Sequence, residues 1–134
     1  MTSHHIETVR FWALFLAGCV ALSYAIGALA TNHPMPFDPS LPMLAGALAA
    51  VVIFVAALLA GQQAAHEATD EGYFSDQSRA TGAAFWIALL MYPAFAPMIA
   101  WNWISYETAF AAMGTLTAAA FLLLFCWYDW RGRA

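Results

Sequence analysis

Lysine is absent from this chain, and its basic residues are four arginines set against eight acidic ones, for a net charge of −4. A nucleic-acid-binding protein presents a basic face, so no nucleic-acid partner is expected. Charge of either sign is scarce: 9% of the 134 residues are charged and 63% are hydrophobic. A soluble domain carries about 25% charged residues. A fold of this length in water would leave more apolar surface than it can hide, so the expected solvent is lipid. Cysteine is limited to Cys19 and Cys126, both inside apolar runs, which is no disulfide framework.

A second scarcity is local. Four runs, 11–30, 42–61, 82–101 and 108–128, contain no Asp, Glu, Lys, Arg or His. Proton relays, cation-coupled exchange and voltage sensing need such groups at membrane depth. Small multidrug transporters match this chain in size and helix count but depend on a carboxylate within the first helix; here Glu7 precedes it. Haem held between helices needs facing histidines, and His4, His5, His33 and His66 all lie outside the runs. No nucleophile–base constellation and no phosphate-cradling loop is present. The expectation is therefore a non-enzyme with no cofactor.

Each run is long enough to cross a hydrocarbon core about 30 Å thick as a helix. The expected fold is all-α: one membrane domain over 1–134, an antiparallel bundle of four transmembrane helices. Orientation follows from the arginines. Arg10 precedes the first span, Arg79 lies between the second and third, and Arg131 and Arg133 follow the fourth, while loops 31–41 and 102–107 carry none. All the basic residues fall on one side, which should be cytoplasmic, with both termini inside. The Ala-rich, Arg-only composition suits a GC-rich bacterial genome and an inner-membrane location. Trp12, Trp86, Trp127 and Trp130 mark the cytoplasmic level, and Trp101, Trp103 and Tyr106 the opposite one, as interfacial anchors. Leu16-Ala17-Gly18-Cys19 matches a lipobox pattern. The apolar run continues well past Cys19, however, so the segment reads as the first span and not as a cleaved signal.

The loops differ in kind. Residues 31–41 hold Pro34, Pro36 and Pro39, with Pro42 following, which makes a stiff, extended connector. Residues 62–81 form the one sizeable polar stretch, cytoplasmic and acidic. The second helix is expected to continue through Gln62 and Ala65 toward Asp70, because nothing before Gly72 reads as a breaker. On that extension His66 and Asp70 share one face at i,i+4, a weak divalent-metal candidate with Glu67 or Asp76 as a third ligand. A solvated acidic surface is the competing and preferred reading. Loop 102–107 forces a helical hairpin, with Ser105 or Thr108 as the cap.

The third span carries Pro93 and Pro97 one turn apart. Each removes an N–H and frees the carbonyl four residues earlier, at Leu89 and Pro93. An unpaired carbonyl at mid-membrane costs a few kcal/mol, about 2–7. Ser23, Tyr24, Thr115 and Thr117 reach a similar depth, and Tyr92 flanks the first proline. A polar layer is therefore expected there, around a kinked third helix, although Thr115 and Thr117 sit about 200° apart and cannot face one neighbour. Small-residue pairs Ser23/Gly27, Gly46/Ala50, Ala57/Gly61 and Gly114/Ala118 offer close helix contacts. The functional expectation is an accessory, assembly or scaffold subunit, partnered by the lipid bilayer and by other membrane subunits or its own copies. The alternative is a dimeric carrier or flippase for an uncharged or lipid-like substrate at the Pro93/Pro97 break.

Overall fold

The computed structural model of the chain describes residues 2–133. Among them the fold is all-helical: α1 (Ser3–Thr31), α2 (Ser40–Ala60), α3 (Gln62–Glu67), α4 (Glu71–Ala100) and α5 (Tyr106–Arg133). Four of the five, all but α3, are long and apolar enough to cross a membrane. Most ends lie beyond the limits that hydropathy sets. Apolar runs record where a helix can meet oil, whereas backbone hydrogen bonding continues through polar residues at no penalty. So α1 starts eight residues before Phe11 and α4 starts eleven before Gly82.

Residues 62–81 depart most from expectation. They are α3 and the first turns of α4, not a loop. The second helix does not run on to Asp70: it stops at Ala60, where Gly61 adopts φ 86°. That left-handed value is open to glycine and strained for other residues, and it turns the chain before α3. Asp70 then caps α4, its Oδ1 accepting from Tyr73 N at 3.0 Å. An Asp in this position satisfies one of the orphan amides of the first turn. At the other end, Ser105 is the cap of α5, its Oγ accepting from Thr108 N at 3.1 Å. The connectors there turn on Asn32 (φ 47°) and Asn102 (φ 56°), asparagine being a side-chain-bearing residue that tolerates left-handed backbone.

The helices pack as an open row in the order α2–α1–α5–α4. α5 lies between α1 and α4, and no comparable packing joins α2 to α4. α1 and α5 run in opposite directions. Along α1 and α5, Arg10 meets Asp129, Phe11 O meets Cys126 Sγ, Gly18 meets Leu123, and Asn32 meets Ser105. The buried side of α1 is built from Ala17, Gly18, Ala21, Tyr24, Ala25 and Ala28, three and four residues apart as one helix face requires. A Cβ on Gly18 would lie 2.9 Å from Leu123 Cδ2 and 3.2 Å from Leu122 Cβ, so the two backbones approach where no side chain intervenes. The small-residue pairs singled out in the sequence do not make this seam. Ser23 is exposed, Gly27 packs under Pro36 and Phe37, and Gly46 and Gly114 face open space.

Between α4 and α5 the core is Met91, Phe95, Ile104, Ala109 and Ala112, with Leu29 of α1 packed at its edge. Pro93 and Pro97 lie inside α4, which continues unbroken to Ala100. The two prolines, expected to kink this helix, therefore lie within its span and do not end it.

Candidate functional site

The residues predicted to form a mid-depth polar layer are not brought together. Tyr24 Oη donates to Pro34 O at 3.2 Å, within the proline-rich connector. Ser23 lies beside Phe37 and Leu41, toward α2. Thr115 Oγ1 donates to Ala111 O at 2.9 Å, and Thr117 Oγ1 to Met113 O at 2.8 Å. Each threonine thus satisfies its hydroxyl on its own helix, the usual outlet for Ser and Thr inside a helix. The row order supplies the remaining reason: α5 separates Ser23 and Tyr24 from α4. Leu89, Tyr92 and Pro93 are exposed on α4, and Pro97 is half-buried.

One part of the forecast region does form a cavity. An open groove of about 630 Å³ runs between α4 and α5, lined by Tyr92, Phe95, Ile99, Phe110, Met113 and Thr117. Tyr92 and Ala96 border it beside the two prolines, and Gly114 forms part of its floor, where an added Cβ would touch nothing within 4 Å. Tyr106 stands at its end. A second groove of about 560 Å³ shares Tyr106 and Phe110 and lies on the other side of them, against Tyr24, Pro34, Met35 and Pro39. Glu107 lines this second groove. Sequence reasoning did not single out Phe110, Gly114 or Glu107 as neighbours of a cavity. Their i,i+4 spacing for Phe110 and Gly114 was legible, but a groove also needs α4 at a particular distance, which no local pattern states.

A second constellation was missed altogether. Arg10 is buried, its Nη1 donating to Ala68 O at 2.7 Å and its Nη2 to Asp129 Oδ1 at 3.2 Å. The guanidinium lies over the Tyr73 ring at 4.6 Å and near Phe125 at 5.8 Å, and those two rings meet edge-on at 5.4 Å. A buried cation requires such partners. Ala68 is the residue at the end of α3, so the guanidinium also caps a helix C-terminus, where cations are favoured. One side chain thereby ties together α1, the α3–α4 junction and α5. In the sequence Arg10 serves only as an orientation marker, since its partners stand 58 and 119 residues away. Its Nε is buried with no hydrogen-bond partner.

The metal candidate is not assembled. His66 sits on α3 while Asp70 belongs to the start of α4 and is bonded to Tyr73 N. The turn at Ala68–Asp70 destroys the single helix face that the i,i+4 spacing assumed. Among the described residues no three of His, Cys, Asp and Glu cluster as a metal site. Of the titratable groups outside the long apolar stretches, Asp38 is perturbed: the Ser40 hydroxyl and then the Ser40 N–H hold its carboxyl below the usual range. This carboxylate anchors the start of α2. The six tryptophans Trp12, Trp86, Trp101, Trp103, Trp127 and Trp130 are all exposed. Trp101 contacts Trp103 at one end of the row, and Trp127 contacts Trp130 at the other. Compared with known protein families, curated proteins and solved structures, the chain shows no match.

Proposed function

We propose that this protein is a non-catalytic four-span subunit of a bacterial inner membrane that docks onto another membrane protein or onto its own copies. The observation that carries this reading is an inversion of the soluble pattern. The most apolar of the four long helices, α2, is the least covered, with Ala49 and Ala56 its buried residues. Leu44, Leu48, Val51, Phe54, Leu58 and Leu59 are exposed along it. Contiguous apolar surface of this extent marks lipid or partner contact. In this reading the end holding Arg10, Arg79 and Arg131 is cytoplasmic, and the Arg10 clamp stiffens that end so that the α2 face is presented in one orientation.

The test is extraction in mild detergent followed by sizing and cross-linking mass spectrometry. A stoichiometric partner or a defined oligomer is expected, cross-linked through α2 and released when Leu48 and Val55 are replaced by Asp. A monomer whose α2 accepts these charges with no change in any assembly would overturn it.

The groove favours a second reading, a carrier or flippase for an uncharged or lipid-like substrate. It lies beside Pro93 and Pro97, each of which removes a backbone donor from α4 and frees a carbonyl one turn earlier, and freed backbone groups near the midplane often line transporter binding sites. Replacing both prolines by Ala should abolish transport under this reading and leave assembly intact under the first.

A further inference from the structure

The two grooves on either side of Tyr106 and Phe110 share a wall, and that shared wall is informative. We propose that they form a binding site for one two-chain phospholipid of the extracytoplasmic leaflet, its acyl chains straddling the Tyr106–Phe110 ridge and its headgroup carrying a primary ammonium. This inference rests on the four spans crossing a bilayer with the arginine-bearing end inside, but not on the docking role.

Length is the first argument. From Tyr106 to Thr117 is eleven residues of helix, about 16 Å. Half of a hydrocarbon core about 30 Å thick is about 15 Å. The deeper groove therefore runs from the interface to the midplane and stops, as one acyl chain does. Its walls at Phe95, Ile99, Phe110 and Met113 are apolar, and the hydroxyl of Thr117 is already spent on Met113 O. The shallower groove begins at the same level, from Tyr106 and Glu107, and has a separate floor at Ala111. Volumes of about 630 and 560 Å³ lie within the range of about 300–1,000 Å³ typical of small-molecule sites. A single helix of a partner, about 10–12 Å across, cannot enter both grooves, because the ridge divides them.

Charge chooses the headgroup. Glu107 lines the shallower groove and Asp38 lies in the connector that walls it, its carboxylate kept ionised by Ser40. Segments 31–41 and 102–107 contain no Lys or Arg. An anionic headgroup would meet like charge with no Lys or Arg in either segment to neutralise it. An ammonium complements Glu107, while the phosphate can accept from the Tyr106 hydroxyl at the outer end of the ridge.

The experiment reconstitutes the full chain in nanodiscs of mixed phosphatidylethanolamine and phosphatidylglycerol, then counts retained lipid by native mass spectrometry. The wild type should retain one phosphatidylethanolamine per chain in preference to phosphatidylglycerol. Gly114→Leu fills the groove from a position where an added Cβ meets nothing within 4 Å, so the fold should tolerate it. It should lower lipid retention about tenfold, equivalent to about 1.4 kcal/mol. Gly46→Leu, on open α2 surface, should leave retention unchanged. Glu107→Gln should keep a bound lipid but reduce the preference for the ammonium headgroup about threefold, as for an exposed ion pair. Equal retention of both lipids by the wild type, or full retention in Gly114→Leu, would overturn the proposal. So would a Gly114→Leu chain that keeps its lipid but loses an oligomer or partner, since the groove would then seat a helix. An assembly left unchanged in the α2 variants, with lipid retained, would sink the docking role alone.

Discussion

The inner helices α1 and α5 and the outer helices α2 and α4 solve different problems. The inner pair meets along alanines and a glycine so close that one methyl on Gly18 would collide with Leu123. It also holds the buried Arg10–Asp129 pair. The outer helices carry large side chains that touch little: Leu48, Phe54 and Leu59 on α2, Phe85, Trp86 and Leu90 on α4. Size and apolarity thus do not order burial here as they do in water. Close packing and a few polar ties hold the row, and bulky apolar groups face outward, as expected where the surroundings are themselves apolar and helix association rests on small residues.

The comparison breaks most severely at the clamp. Asp129→Ala leaves the Arg10 guanidinium buried without its carboxylate, and a loss of about 3–5 kcal/mol is expected, measured by unfolding in mixed micelles. Replacing both residues, Arg10→Met with Asp129→Leu, should cost less than the single change, because no orphan charge remains. If the single and double variants unfold alike, the pair contributes nothing specific.

Next is Gly18→Leu, which overpacks the α1–α5 seam and should cost about 1–3 kcal/mol. Tyr73→Ala removes the ring over Arg10 and should cost about 1–2 kcal/mol beyond its packing loss, whereas Tyr73→Phe keeps the face of the ring and should lie close to wild type. On the outer side, Gly46→Ala meets nothing within 4 Å and should raise stability by up to about 1 kcal/mol through helix propensity. Opposite signs for these two glycines on neighbouring helices would sharpen the contrast between inner and outer surfaces, and equal destabilisation would erase it.

The smallest effect is at Asp38. Its carboxyl is held below the ordinary value in the folded chain by Ser40. A group depressed on folding stabilises at pH above its unfolded value, and that contribution fades as pH falls through the folded one. Stability should therefore decline slightly below about pH 4, the ordinary Asp range. Asp38→Asn should remove this slope while retaining an acceptor for Ser40 N. An unchanged acid limb in the variant would assign the slope elsewhere.

Much of the secondary structure was legible. Uninterrupted apolar runs announce four long helices, and of the two cap candidates for the last, Ser105 and Thr108, the structure uses Ser105. The second helix was misread past Gly61, because a single glycine does not declare whether its φ is positive; only the direction of α3 requires it. The polar layer was misread for a related reason. Equal depth is a one-dimensional property, while contact depends on which helix stands next to which, and α5 stands between the hydroxyls of α1 and the prolines of α4.

The sequence alone determined the number of long apolar helices, the end of the row on which the arginines gather, and the absence of ionisable groups from the apolar runs, since each follows from residue type and spacing along one chain. The tertiary structure decided that the helices form an open row, that Arg10 finds Asp129 and Ala68, and that a ridge at Tyr106 and Phe110 divides two grooves. Those facts are relations between segments far apart in the chain, set by how closely small residues let two backbones approach, and no local pattern encodes them.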